Sequence, residues 1–304
     1  MICLTGDVHP MSLQINDQKH ISDSALTETR ITQQYVGLLA RYGVKATLYV
    51  CGGCFRDEWC DLEPVVTHPL VEVGGHMFNA RFPRECFDAY GEQTGLWNGP
   101  KWFQDWDIGE MIRVAQERGG AEIVSWRAHS YMVDSNSHEL LAKHGIKLVS
   151  DDVESDSVWP RTIDFGLITH PINVIPDHDH LYHAHRTPEY VEEVNRRSYG
   201  ADDFGAVSYT IEDWGEKVIE QVERIDRIGG LATVLAHPLC HFLADGFATL
   251  EKILARFASK PTVFARDIRD LADSPPPAVT AWLEQHPPAL RPVRYGPMGR
   301  HLTS

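Results

Sequence analysis

Apolar and polar positions along the chain alternate between two periods, a short continuous run and a helical repeat. Ile2-Cys3-Leu4 is an apolar run leading into Thr5-Gly6-Asp7-Val8-His9, which reads as a first strand. Leu26, Ile31, Tyr35, Leu38 and Leu39 then recur at helical spacing up to Tyr42, with Gly43 where a helix stops. Lys45 to Cys51 is the next strand, and Val71 to His76 a short third. Trp97 to Trp106, rich in Trp, Gly and Pro, reads as a loop before a helix over Asp107 to Gly119. Ile123 to Arg127 is the fourth strand, with a helix over Ser135 to His144 closed by Gly145. Lys147 to Asp152 is the fifth, and Leu167 to Ile175 the sixth, interrupted by Pro171. A helix over Ile211 to Ile228 leads into a seventh strand, Leu231 to His237, then a helix over Phe247 to Ala258 and a final strand, Thr262 to Ala265.

Strand and helix alternating in this way imply parallel strands joined by helical crossovers. The repeats within 304 residues favour an α/β fold, a distorted parallel (β/α) barrel with about seven strands. Active sites of such barrels form at the C-terminal ends of the strands. Asp7 and His9, His76, Arg127 and His129, Asp151 and Asp152, and His237 all sit at those ends. Asp7 and His9 are two residues apart on a strand and point to the same side, so they can converge on one ion or one water.

The barrel domain is expected over residues 1–273, followed by a Pro-rich C-terminal tail, 274–304, with one short helix, Val279 to Gln285. The tail is suited to wrapping the barrel or a second subunit of a homo-oligomer, or to remaining without fixed structure.

Acids outnumber bases, 43 against 28, which argues against nucleic acid and anionic membrane as partners. No stretch is long and apolar enough to span a bilayer, and no basic region followed by an apolar run opens the chain. With reduced thiols expected at its six cysteines, this points to the cytoplasm. Cys51-Gly52-Gly53-Cys54 has the spacing of half a zinc site, which Cys60 and Cys86 would complete. A glycine-rich loop with incidental thiols is the simpler reading.

A second dense stretch is Asp177-His178-Asp179-His180-Leu181-Tyr182-His183-Ala184-His185. Read as extended, it places His178 and His180 on one side. Trp97, Trp102, Trp106 and Trp159 fall in loops where they can stack on a sugar or heterocycle.

With these residues in view, the chain from Met1 to about Ala272 resembles the polysaccharide deacetylases, metal-dependent amide hydrolases. Thr5-Gly6-Asp7-Val8-His9 stands in the place of that family's Thr-Phe-Asp-Asp-Gly. Glu72-Val73-Gly74-Gly75-His76 resembles the lead into its His-x-x-x-His motif, whose second histidine is here Ala80. Trp126-Arg127-Ala128-His129-Ser130-Tyr131 resembles Phe-Arg-x-Pro-Tyr, and Leu235-Ala236-His237 the closing Leu-x-His. The resemblance implies Asp7 as base, Arg127 as the group orienting it, a backbone N–H near Tyr131 for the oxyanion, and His237 as general acid. His129, where the family has proline, joins the catalytic candidates.

Val8 and Ala80 remove two of three usual metal ligands. His9 and His76 are the expected ligands of a divalent ion, Zn²⁺ first, with Asp7 as a further ligand or as base. His178 or His180, on a loop closing over the pocket, would rebuild the position lost at Ala80. Trp97, Trp126, Tyr131 and Asp152 are the substrate-binding candidates. The function implied is metal-dependent hydrolysis of an amide, most simply N-deacetylation of a soluble N-acetylated sugar or small molecule. The alternatives are a cyclic amide or imide hydrolase, and a metal-poor, non-catalytic binding protein.

Overall fold

A computed structural model describes residues 1–15, 17–196, 202–272 and 274–287. Its single sheet is built from β1 (Ile2–Val8), β2 (Ala46–Val50), β3 (Val71–Gly75), β4 (Ser125–Trp126), β5 (Leu148–Val149), β6 (Arg161–Thr162), β7 (Ile168–Thr169) and β8 (Ala232–Leu235). The order across the sheet is β6-β7-β5-β4-β3-β2-β1-β8. Neighbours run parallel, except β6 and β7, which are antiparallel. β6 was not expected from the sequence: Arg161 and Thr162 lack any apolar run, and they pair only with β7. The final strand expected at Thr262 to Ala265 reduces to one bridge, from Thr262 to Ile2.

The register gathers the strand ends in one row. Val8 pairs with Val50, Val50 with Gly75, Gly75 with Trp126, Trp126 with Val149, and Val149 with Thr169. The residues one step further are therefore His9, Cys51, His76, Arg127, Ser150 and His170. Gly75 is required in this row, because a Cβ there would lie 2.2 Å from the Trp126 ring.

The helices cover the outer face. Glu28–Tyr42 is capped by Thr27, whose side chain accepts from Arg30 N, and stopped by Gly43 in left-handed backbone. Ile211–Arg227 buries Ile211, Trp214, Val218, Val222 and Ile225, a helical stripe. The helix expected from Asp107 starts earlier, spanning Lys101–Gly119, because Pro100 presets its entry. The stretch Cys51-Gly52-Gly53-Cys54 is not a loop but opens a helix, Gly52–Asp57. Its glycines answer to packing: a Cβ at Gly52 would meet the Phe78 ring at 2.3 Å. Cys51 and Cys54 are buried while Cys60 and Cys86 are exposed, so the four sulfurs do not form one zinc site.

The barrel has a seam. The sixth strand expected over Leu167 to Ile175 pairs as a strand only at Ile168–Thr169; Pro171 has no N–H to continue the ladder. Beyond it, Asn173 spans the gap to β8. Its N–H donates to Thr233 O at 3.3 Å, its Oδ1 accepts from Thr233 N at 2.8 Å, and its Nδ2 donates to Leu231 O and Ser157 O, each at 2.8 Å. A side-chain amide here does the work of a missing strand. Of the tail, residues 274–287 are described and hold the helix Pro277–Gln285, with Val279 buried; residues 288–304 lie outside the described part.

Replacing Asn173 with Ala leaves three backbone groups at the seam without that partner. A loss of about 2–4 kcal/mol is expected, read as a lower urea midpoint. Asn173→Asp should not restore it, since the two bonds from Nδ2 need a donor.

Candidate active site

β1 delivers Asp7 and His9 to the rim, β3 delivers His76, and β4 delivers Arg127. His9 is fixed by Glu28, a buried residue in the first turn of the Glu28–Tyr42 helix. Glu28 Oε1 takes the His9 backbone N–H at 2.9 Å and lies 3.0 Å from His9 Nδ1. Gln18 Nε2 donates to Glu28 Oε2 at 2.9 Å. Both carboxylate oxygens thus accept, so Nδ1 of His9 donates. His76 Nδ1 lies 2.7 Å from Arg127 O, which can only accept. The two rings therefore turn their Nε2 atoms toward each other, 3.2 Å apart. Burial pushes the His76 pKa down to about 3, against the pull of Asp7, so it is neutral with a lone pair on Nε2.

A fully buried Arg127 sits behind this pair. Its Nη1 donates to Asp7 Oδ1 at 2.9 Å, its Nη2 to Thr5 Oγ1 and Ser150 Oγ, and its Nε to Ser150 O. The guanidinium also lies 4.4 Å from the Tyr49 ring centre. Burial alone would raise the Asp7 pKa, but Arg127, then His76 and His237, hold it well below the usual carboxylate range. Asp7 Oδ2 faces His76 Nε2 at 3.7 Å and His237 Nε2 at 3.4 Å.

His237 follows β8 and is anchored by Asp177. One carboxylate oxygen of Asp177 accepts from His237 N, and the other lies 2.7 Å from His237 Nδ1. Burial would lower the His237 pKa, but Asp177 and then Asp7 hold it well above the ordinary histidine range. The rim thus carries an anionic Asp7 beside a cationic His237. Asp177 and Glu28 were not singled out from the sequence. Asp177 lies in a run where several acids and imidazoles look alike, and Glu28 resembles any acid at a helix start.

The structure brings Asp7, His9, His76, Arg127 and His237 together. His129 belongs with them, its ring 5.2 Å from that of His9 and 5.4 Å from that of His76. Burial pushes its pKa well down. Cys51 Sγ also lies there: it and one nitrogen each of His9 and His76 are all within 4.8 Å of one another. These three atoms are a donor set suited to Zn²⁺, and the facing Nε2 atoms are what a cation or a proton between them would reconcile. Ala80 is buried in left-handed backbone nearby.

Other expected site residues are placed differently. The histidine-rich segment is not extended: Asp177–His180 is a helical turn behind Pro176, so His178 and His180 do not share a side. His180 turns away, its Nδ1 on Val207 O at 2.7 Å and its Nε2 on Asp202 Oδ2 at 2.8 Å, so neither nitrogen is directed at His9 and His76. His178 lies beside His237, ring centres 5.7 Å apart. Trp126 and Trp97 are buried, packed against Gly75 and Gly91 respectively. Trp159 donates from Nε1 to Leu271 O; Trp102 and Trp106 are exposed on the Lys101–Gly119 helix. Tyr131 is buried in positive-φ backbone, its N–H taken by Ala128 O at 2.9 Å in a tight turn. The Asp152 carbonyl accepts from Ile172 N at 2.9 Å.

The sequence matches no protein-family model and no curated protein. Among solved structures, a candidate polysaccharide deacetylase from Mycobacterium smegmatis superposes with a TM-score of 0.63 at 17% identity, over 96% of this chain and 93% of that one. PuuE allantoinase superposes with a TM-score of 0.61 at 10% identity, over 94% and 91% of the two chains. A second candidate polysaccharide deacetylase, from Pseudomonas aeruginosa PAO1, gives 0.58 at 12% identity, over 94% and 91%. These superpositions show that the chain has the fold of the solved polysaccharide deacetylase and allantoinase structures.

Proposed function

We propose that the protein hydrolyses a C–N amide bond, most simply as an N-deacetylase of a soluble N-acetylated sugar or small molecule, with residues 1–273 as the catalytic domain. The observation that carries this reading is the opposed pair at the rim: Asp7 Oδ2 and His237 Nε2, 3.4 Å apart, held in opposite charge states by Arg127 and Asp177. Amide hydrolysis at neutral pH needs that combination, a base for the water proton and an acid for the leaving nitrogen. Asp7 takes the proton as the water oxygen bonds to the acyl carbon. His237 gives its proton to the nitrogen as the C–N bond breaks. Arg127 fixes the orientation of the Asp7 carboxylate.

His9 and His76 would hold a divalent ion, with Cys51 Sγ as the third donor in reach, which leaves Asp7 as the base. When bound, the ion supplies Lewis acidity, polarising the carbonyl and lowering the pKa of water. The Glu28 and Arg127 O contacts are the outer partners that set the ring tautomers. A second reading, hydrolysis of a cyclic amide, is favoured by the likeness to PuuE allantoinase. A panel of N-acetylated sugars and cyclic amides, assayed for acetate and for ring opening, separates the two. Turnover of neither class would overturn the hydrolase reading.

His237→Ala is expected to lower kcat roughly 10²–10⁴-fold with bound metal unchanged, as for loss of a general acid. Steady-state kinetics with elemental analysis checks both halves.

Because His237 must be protonated, kcat/KM should fall as pH rises through its raised pKa, so the basic limb lies above the ordinary histidine range. In Asp177→Asn the raising charge is gone while burial still lowers the pKa, so that limb moves to lower pH. A pH profile with an unmoved basic limb would detach Asp177 from His237.

His76→Ala should abolish zinc at this centre and, because His76 is buried and donates to Arg127 O, also cost about 1–3 kcal/mol of stability. Undiminished zinc in the purified variant would remove His76 from the ligand set.

A further inference from the structure

A second cluster of ligating side chains lies beside His237, distinct from the His9, His76 and Cys51 group. The turn Asp177–His180 and the chain after it lie against the helix Pro238–Asp245. One nitrogen each of His178 and His183 and the Cys240 sulfur are all within 4.8 Å of one another. The His178 ring centre is 6.1 Å from that of His183 and 6.0 Å from that of His185. His183 and Cys240 are buried, and His178 is half-buried beside solvent.

Two features of the cluster point to a cation. His183 Nδ1 lies 2.7 Å from Leu181 O, so it donates there and fixes Nε2 as the outward-facing nitrogen. Nε2 then stands 2.9 Å from Asp17 Oδ2, yet out of hydrogen-bond alignment, and both atoms lack a hydrogen-bond partner. Asp17 is itself 1% exposed, and its other oxygen contacts His185 Nδ1. Leaving such groups unsatisfied is costly. The Asp17 carboxylate at this edge of the cluster supplies negative charge that favours a cation among His178, His183 and Cys240.

We propose that His178, His183 and Cys240 bind a transition-metal ion, Zn²⁺ by the donor set, at a site separate from the His9–His76 centre. Two imidazoles and a thiolate suit zinc, with Zn–N near 2.0–2.1 Å and Zn–S near 2.3 Å. Tetrahedral binding at those lengths sets donor atoms about 3.3–3.8 Å apart, so side-chain rotation closes the cluster by about 1.5 Å at most. The thiol loses its proton to solvent on binding, and burial, which otherwise raises the Cys240 pKa, is offset by the ion. Asp17 orients His185 from outside and places a negative charge beside the ion. The bound ion ties the 177–185 segment to the helix after β8 and so fixes Asp177 against His237. This goes beyond the hydrolase reading and does not depend on it, since none of the three ligands belongs to the His9, His76 and Cys51 set.

The test uses the full chain loaded with Co²⁺ and then Zn²⁺. In the Cys51→Ser background, a thiolate-to-cobalt charge-transfer band should persist, because Cys240 supplies the sulfur. It should vanish on adding Cys240→Ser. On adding His178→Ala, a half-buried position that tolerates truncation, cobalt affinity should fall by more than the roughly 10–100-fold that loss of an outer partner costs. Anomalous scattering at the zinc edge from wild-type crystals should show a peak among His178, His183 and Cys240, whatever the occupancy at His9 and His76. Absence of the band in Cys51→Ser, its survival in the double cysteine variant, unchanged affinity in His178→Ala, or a zinc peak at His9 and His76 alone would each overturn the second site. A peak here with none at His9 and His76 would support it while removing the metal from the hydrolase reading.

Discussion

The structure depends on one buried cation. Arg127 is fully excluded from solvent and reaches β1 through Asp7 and Thr5, β5 through Ser150, and the Tyr49 ring of β2. A guanidinium in that setting must have its donors met and its charge balanced, because breaking such a pair costs about 3–5 kcal/mol. Thr5, Asp7, Tyr49 and Ser150 are therefore bound to one another's positions through it. β1 and β2 have seven and five residues but β5 only two, so this polar centre supplements the ladder where it is shortest. The same constraint aims Asp7, leaving one carboxylate oxygen for chemistry.

Around that centre, one residue type is used in opposite ways. His76 is buried against a backbone carbonyl and kept neutral, its pKa near 3. His237 is buried against the Asp177 carboxylate and kept charged. Desolvation acts on both in the same direction, so the partner decides the outcome. A neutral imidazole offers a lone pair; a charged one offers a proton. Which acceptor each ring found thus decides whether that part of the rim presents a lone pair or a proton.

The sequence made the rim legible because barrel strands end in a row. Any residue just past an apolar run, as His9, His76, Arg127 and His237 are, lands there. The elements with weak signals were the ones missed. β6 has no apolar run, and the helices Gly52–Asp57 and Arg84–Thr94 open on glycine and proline contexts that read as loops. Trp97 looked like a stacking face because it falls in a loop-like stretch, yet it packs against Gly91 in the core. Asp177 and Glu28 were illegible for another reason. Their roles consist of a partner distant in sequence, and nothing in their own neighbourhood marks it. Pro176 did carry a usable hint, a turn start that breaks the extended reading of the histidine-rich run.

The seam at Asn173 has a consequence for how this barrel can change over generations. Backbone ladders are common property of every residue, so no single substitution except proline deletes their bonds. Between β8 and the segment after β7, one backbone bond, Asn173 N–H to Thr233 O, is supplemented by a carboxamide, a group one codon specifies and one codon change removes. That joint stands four residues from Asp177, the carboxylate that anchors His237. Mutational drift there is the shortest route by which this fold could keep its shape and surrender its chemistry.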